Sequence, residues 1–161
     1  MTTPPGEKRA MLSPLDQAGM KAALDQAHHA ALIGEVPVGA AVSIHGRIIA
    51  EAHNETVRSR DLTKHAELLA IQRAVQAART DRLEYATLYV TLEPCAQCAG
   101  AIVLARVARV VFGAYDPKAG MAGSVGDLLR HPQLNHHPEV MGGVMEEECG
   151  APLRRFFEAR R

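Results

Sequence analysis

Apolar side chains recur along this chain with two different periods. Met20, Ala23, Leu24, Ala27 and Ala31 fall three or four residues apart, which predicts one buried face of a helix. Ser13 suits its N-cap, Pro14 its first position, where no N–H is needed, and Gly34 its end. The period then shortens. Val36 to Ile44 and Arg47 to His53 read as two strands, and His45-Gly46 between them predicts a tight hairpin, although His replaces the more usual Asn or Asp. A polar loop, Asn54 to Thr63, leads to a second helical run, Ala66 to Ala78, whose apolar positions are Leu68, Leu69, Ile71 and Val75. Leu88 to Leu92 is an apolar strand. A helix follows from Cys95 to about Arg106, and Arg109 to Phe112 is a valine-rich strand. Beyond the glycine-rich stretch Gly113 to Gly126, Leu128 and Leu129 predict a short helix, Val140 and Met141 a last strand, and Glu146 to Arg160 a final helix.

Two neighbouring strands joined through a helix require a crossover, hence a parallel pair, whereas the hairpin is antiparallel. The predicted fold is therefore α/β, three layers α/β/α around a mixed central sheet of about five strands. A length of 161 residues suits one domain. We assign residues 12–161 to it and read residues 1–11, polar with Pro4, Pro5 and Gly6, as a disordered lead-in without the apolar core of a signal peptide. No apolar run is long enough to span a membrane.

Charge alters this picture by its distribution rather than its sum. The formal net charge is zero, against a chain that binds nucleic acid over its whole surface. Arg154, Arg155, Arg160 and Arg161 nonetheless gather at the C-terminus, and Arg58, Arg60 and Lys64 stand just before His65. Such clusters are ordinarily solvated faces; one beside a candidate site also suits phosphate contact. Of three cysteines, Cys95 and Cys98 form a Cys-x-x-Cys pair and Cys149 is left over as a buried thiol, a usage that fits a reducing cytoplasm.

The candidate chemistry lies in two stretches, Thr63-Lys64-His65-Ala66-Glu67 and Thr91-Leu92-Glu93-Pro94-Cys95-Ala96-Gln97-Cys98. Cys95 and Cys98 share a face of one helical turn, and Pro94 fits the helix start, so the thiols meet its positive end, which favours the metal-binding thiolate. His65 stands at the start of its own helix. His65, Cys95 and Cys98 are thus candidate zinc ligands between two helix N-termini. Three protein ligands leave a place for water, as catalytic zinc requires. Glu67 is then the general base, and zinc brings the pKa of water toward about 7.

The order His-x-Glu, then Pro-Cys-x-x-Cys, resembles the cytidine deaminase-like superfamily and, within it, the tRNA-specific adenosine deaminases of bacteria. Further matches are Glu35-Val36-Pro37-Val38-Gly39-Ala40, Asn54, Arg109 to Ala114, Ala122-Gly123-Ser124, Asn135-His136 and Phe156-Phe157, so the resemblance runs from about residue 12 to the end. It implies one Zn(2+) per subunit, a homodimer with the loop 54–64 and the Cys95 helix near the partner, and hydrolytic deamination of adenosine to inosine at the wobble position of a tRNA anticodon loop. It also implies substrate contacts at Asn54, the Ala66 N–H, Val36 and Pro94, with Asp116 and Lys118 near flanking nucleotides. Phe156 and Phe157 read as core residues, stacking platforms or one of each, with Phe156 counted among the substrate contacts. Gln97, Lys64 and Tyr115 depart from the family pattern without touching a ligand.

Three other readings use the same residues. A deaminase of a free base or nucleoside, such as guanine or cytosine, shares every metal ligand. A non-catalytic structural zinc module binding nucleic acid needs a fourth protein ligand, with His53 or His131 as candidates. A redox protein predicts a Cys95–Cys98 disulfide and no metal.

Overall fold

Ser13 opens the first helix as its position suggests: its hydroxyl accepts the Asp16 N–H at 3.1 Å. The computed structural model describes residues 12–161, so the lead-in expected for residues 1–11 lies outside the described residues. Helix α1 (Pro14–Leu32) ends ahead of Gly34, whose φ of +80° only glycine adopts easily. Strands β1 (Gly39–Ile44) and β2 (Arg47–His53) follow. The turn between them has positive φ at both His45 and Gly46, the geometry its two-residue length demands. Strand β1 starts later than the apolar pattern predicts. The chain at Val36 folds into a tight turn, with the Val38 N–H donating to the Val36 carbonyl at 2.8 Å.

Helix α2 (Ala66–Ala78), strand β3 (Ala86–Leu92), helix α3 (Ala96–Leu104), strand β4 (Arg109–Ala114), strand β5 (Glu139–Met141) and helix α4 (Glu146–Glu158) complete the order. The Cys95 helix stops short of its predicted end because Arg106 turns into the left-handed region at φ +56°. No helix forms at Leu128 and Leu129. There the Leu128 N–H is engaged across the loop by the Met121 carbonyl at 2.9 Å, and Leu129 is buried in the core.

The five strands form one sheet in the order β2-β1-β3-β4-β5. Strand β1 is antiparallel to both β2 and β3, whereas β3–β4 and β4–β5 are parallel. Side-chain alternation sorts the sheet into two faces. Ala41, Tyr89 and Val111 pack with Met20, Ala23 and Leu24 of α1 and Cys149 of α4. Ala40, Val42, Leu88, Val90, Val110 and Phe112 pack with Ala70, Ile71 and Ala74 of α2 and Ala99 and Ile102 of α3. The result is the predicted three-layer α/β/α arrangement. On the α1 face, Asp16 receives two hydrogen bonds from Arg109, at 2.6 and 2.7 Å, and one from the Tyr89 hydroxyl at 2.8 Å.

Register then decides where loops meet. Leu92 lies opposite Ala114, so the segments leaving β3 and β4 emerge side by side. His53, the last residue of β2, lies opposite Gly39, the first of β1, placing Asn54 at the same edge. Such carboxyl ends of parallel strands are where α/β sheets build their sites. No helix among the described residues is long and apolar enough to cross a membrane.

Candidate active site

Two helix N-termini converge at that edge. His65 is the N-cap of α2 and Cys95 the N-cap of α3, and neither side chain caps its own helix. Both turn instead toward a shared point with Cys98, from the first turn of α3. His65 Nδ1 lies 3.5 Å from Cys95 Sγ and 3.5 Å from Cys98 Sγ, and the three donor atoms all fall within 4.8 Å of one another. With a metal–sulfur bond of about 2.3 Å and a metal–nitrogen bond of about 2.0–2.1 Å, a tetrahedral ion sets its N···S edges at about 3.6 Å. One imidazole and two thiols at this spacing fit a zinc-like ion, with three of four tetrahedral corners filled from the chain.

The electrostatics around Cys95 suit such an ion. A hydrogen bond from the Cys98 thiol, together with contact from His65, holds Cys95 below the ordinary thiol range, toward thiolate. Cys98 is pushed the other way by the same bond and by burial. Both cysteines are unbridged. Glu67, the second residue of α2, is only 4% exposed, and its carboxyl sits beside the Cys98 thiol. Burial pushes that carboxyl up to about 7. A carboxyl titrating there can both accept and donate protons near neutral pH.

The expected substrate contacts separate into several groups. Asn54 is buried, and its Oδ1 accepts the Ala66 N–H at 2.7 Å. The Ala66 N–H, expected to face a substrate, is therefore engaged within the chain, and Asn54 ties the end of β2 to the start of α2. Val36 is half-buried against the core, and Pro94 is buried with its carbonyl accepting the Met121 N–H at 2.8 Å. Asp116 caps a turn, its Oδ1 accepting the N–H groups of Lys118 at 3.0 Å and Ala119 at 3.2 Å, while Lys118 is exposed. Phe156 and Phe157 differ in exposure. Phe156 is 9% exposed, with the Arg160 guanidinium 3.4 Å from its ring centre, whereas Phe157 is 52% exposed. The reason is spacing: Cys149, Pro152 and Phe156 form the buried stripe of α4, and Phe157 falls outside it. Neither alternative fourth ligand joins the cluster. His53 Nδ1 contacts the Asn54 carbonyl at 2.8 Å, and His131 Nδ1 accepts the Gln133 N–H at 3.2 Å.

Two buried glutamates had no role in the sequence reading. Glu35 accepts the N–H groups of Val57 at 3.0 Å and Arg58 at 2.6 Å, anchoring the loop between β2 and α2. Gln97 secures the same loop from α3 by donating to the Thr63 carbonyl at 2.8 Å. Glu93 plays the corresponding part for the loop after β4, accepting from Asp116, Ala122 and Ser124. The available signal was an acidic residue set directly against Val36 or Leu92 in otherwise apolar company.

Residues 15–148 match the family of MafB19-like deaminases. The tRNA-specific adenosine deaminase of Bacillus subtilis (strain 168) is 52% identical over 146 residues, covering 91% of this chain and 91% of that protein. A solved structure from biochemical and structural studies of A-to-I editing by tRNA:A34 deaminases at the wobble position of transfer RNA aligns with a TM-score of 0.81. It is 42% identical and covers 85% of this chain and 99% of that one. A guanine deaminase from Nitrosomonas europaea aligns with a TM-score of 0.76 at 23% identity, over 96% of this chain and 93% of that one, and shares the fold alone.

Proposed function

The chain belongs to the tRNA-specific adenosine deaminases, and from that premise we propose that it hydrolyses adenosine to inosine at the wobble position of a tRNA anticodon. The observation that carries the reading is a three-donor group, His65, Cys95 and Cys98, with the buried Glu67 carboxyl beside it. Three protein donors suit a catalytic zinc, which keeps a position for water, better than a structural one, which takes four. One Zn(2+) per subunit would be held by these residues. When bound, zinc supplies Lewis acidity that makes water a nucleophile near neutral pH.

The protein does the proton work. Glu67 takes a proton from the attacking water, passes it to the ring nitrogen next to the amino-bearing carbon, and carries the second proton to the departing ammonia. Asn54 fixes the start of α2, so Glu67 and His65 keep their relative orientation. Val36 and Pro94 form walls around the base. Asp116 and Lys118 lie toward flanking nucleotides, and the exposed Phe157 ring replaces Phe156 as the aromatic available to RNA. An anticodon loop suits a recessed site because its unpaired bases can splay out.

We assign the enzyme to the cytoplasm as a homodimer. Leu62 in the loop 54–64 and Leu104 at the end of α3 are apolar and 82% and 84% exposed. The test pairs elemental analysis with two assays: inosine formation in an adenosine-containing anticodon hairpin, and ammonia release from free guanine and cytosine. The reading expects one zinc per chain and hairpin conversion. Ammonia from the free bases with an unchanged hairpin would transfer the chain to free-base chemistry.

A further inference from the structure

Glu93 is 1% exposed, and its carboxylate faces four donors. Oε1 accepts the Asp116 N–H at 3.0 Å and the Ser124 hydroxyl; Oε2 accepts the N–H groups of Ala122 at 3.0 Å and Ser124 at 3.1 Å. Two oxygens with two lone pairs each match four donors, and no acceptor enters the arrangement. Gly120 completes it: a Cβ there would overlap the Glu93 carboxylate. The adjoining Pro94 carbonyl takes the Met121 N–H. One dipeptide at the end of β3 thus fastens the whole loop from Asp116 to Ser124, and the next residue is the metal donor Cys95.

We propose that Glu93 is a positioning residue: its carboxylate fixes the loop carrying Asp116 and Lys118 relative to the metal centre and so sets recognition of the nucleotides flanking the target adenosine. The inference rests on the function proposed above. Glu93 has every acceptor position filled by the loop, so it moves no proton in the reaction. Its influence falls on how firmly RNA is held and not on the chemical step.

Glu93→Gln is the direct probe. The amide brings N–H groups where only acceptors fit, so at least one loop bond is lost. Ser124→Ala removes a single donor, and Gly120→Ala presses on the same carboxylate from outside. Losing contacts made alike before and during reaction raises KM with little change in kcat: at least about ten-fold and within about three-fold respectively, for Glu93→Gln acting on an anticodon hairpin. Zinc stays at one per chain. Amide exchange at Asp116, Ala122 and Ser124 accelerates in the variant, a readout independent of turnover. If Glu93→Gln does not fold, the other two variants decide, with the same direction expected of each. Unchanged amide protection, or a kcat loss at constant KM, would overturn the proposal. A wild-type protein that makes no inosine would instead defeat the proposed function, and the exchange data would still say whether Glu93 holds the loop.

Discussion

At the scale of single residues, the proposed mechanism concentrates proton transfer on Glu67. A Glu67→Gln variant keeps the shape and the metal donors but lacks a group that can shuttle protons. It should lose about a hundred- to ten-thousand-fold in turnover while zinc content, measured by elemental analysis, stays at one per chain. Cys95→Ser or Cys98→Ser should instead lose the metal, since each removes one of the three donors grouped among the described residues. The two adjacent phenylalanines should separate cleanly. Phe156→Ala empties a buried, stacked position and should cost about 3–4 kcal/mol of stability in urea unfolding. Phe157→Ala should leave stability within about 0.5 kcal/mol, yet weaken RNA binding by about 1–3 kcal/mol if the ring stacks on a base. The pairing of Cys95 with Cys98 was legible because spacing encodes it: a three-residue offset on a helix turn is a local property. Glu93 and Glu35 were not, because all their partners but the Ser124 hydroxyl are backbone N–H groups, 22 to 31 residues away in the sequence, and no side-chain pattern marks such a donor.

At the scale of elements, the helix and strand periods carried most of the fold. Helix α2 occupies the predicted residues, and the hairpin turn sits where His45-Gly46 placed it. Misses occurred where the chain's own turns override the apolar pattern: a tight turn from Val36 to Val38, and a loop bond from Leu128 to Met121. The link between α1 and the sheet gives a pH test. The hydrogen bond from Arg109 holds the Asp16 carboxyl below its ordinary value, despite burial. Protonation therefore favours the unfolded chain, and the stability from this pair is present above about pH 4 and lost as pH falls. Burial and the Asp16 charge push Tyr89 the opposite way, to about 12. The unfolded chain ionises first, so its contribution is complete below about pH 10 and disappears as pH rises toward 12. Urea unfolding across pH should show both limbs. Asp16→Asn should flatten the acid limb and cost about 2–4 kcal/mol near neutrality, because Arg109 loses its close, buried charge partner and keeps only the exposed Glu139 at 3.8 Å. Gly39→Ala should cost about 1–3 kcal/mol by driving a Cβ into the Ala23 carbonyl and pushing α1 from β1.

At the scale of the whole molecule, sheet register brings the chain's chemistry to one edge. Parallel β3 and β4 end opposite each other, the end of β2 meets the start of β1, and two helices begin there with their positive ends inward. The loops joining these elements are held by buried carboxylates and an amide, so they form one connected body with the helix starts that carry His65 and Cys95. Chelation should therefore remove activity without dissolving the sheet, and added zinc should restore it, as circular dichroism and turnover measured together would show. The central claim is that a three-donor zinc with Glu67 beside it converts an anticodon-loop adenosine to inosine. Its most direct test follows inosine formation in the hairpin for wild type and Glu67→Gln, with zinc measured in each sample. The account predicts conversion proportional to bound zinc in the wild type and almost none in the zinc-loaded variant. Turnover by Glu67→Gln within ten-fold of wild type, or equal conversion by metal-free protein, would contradict it.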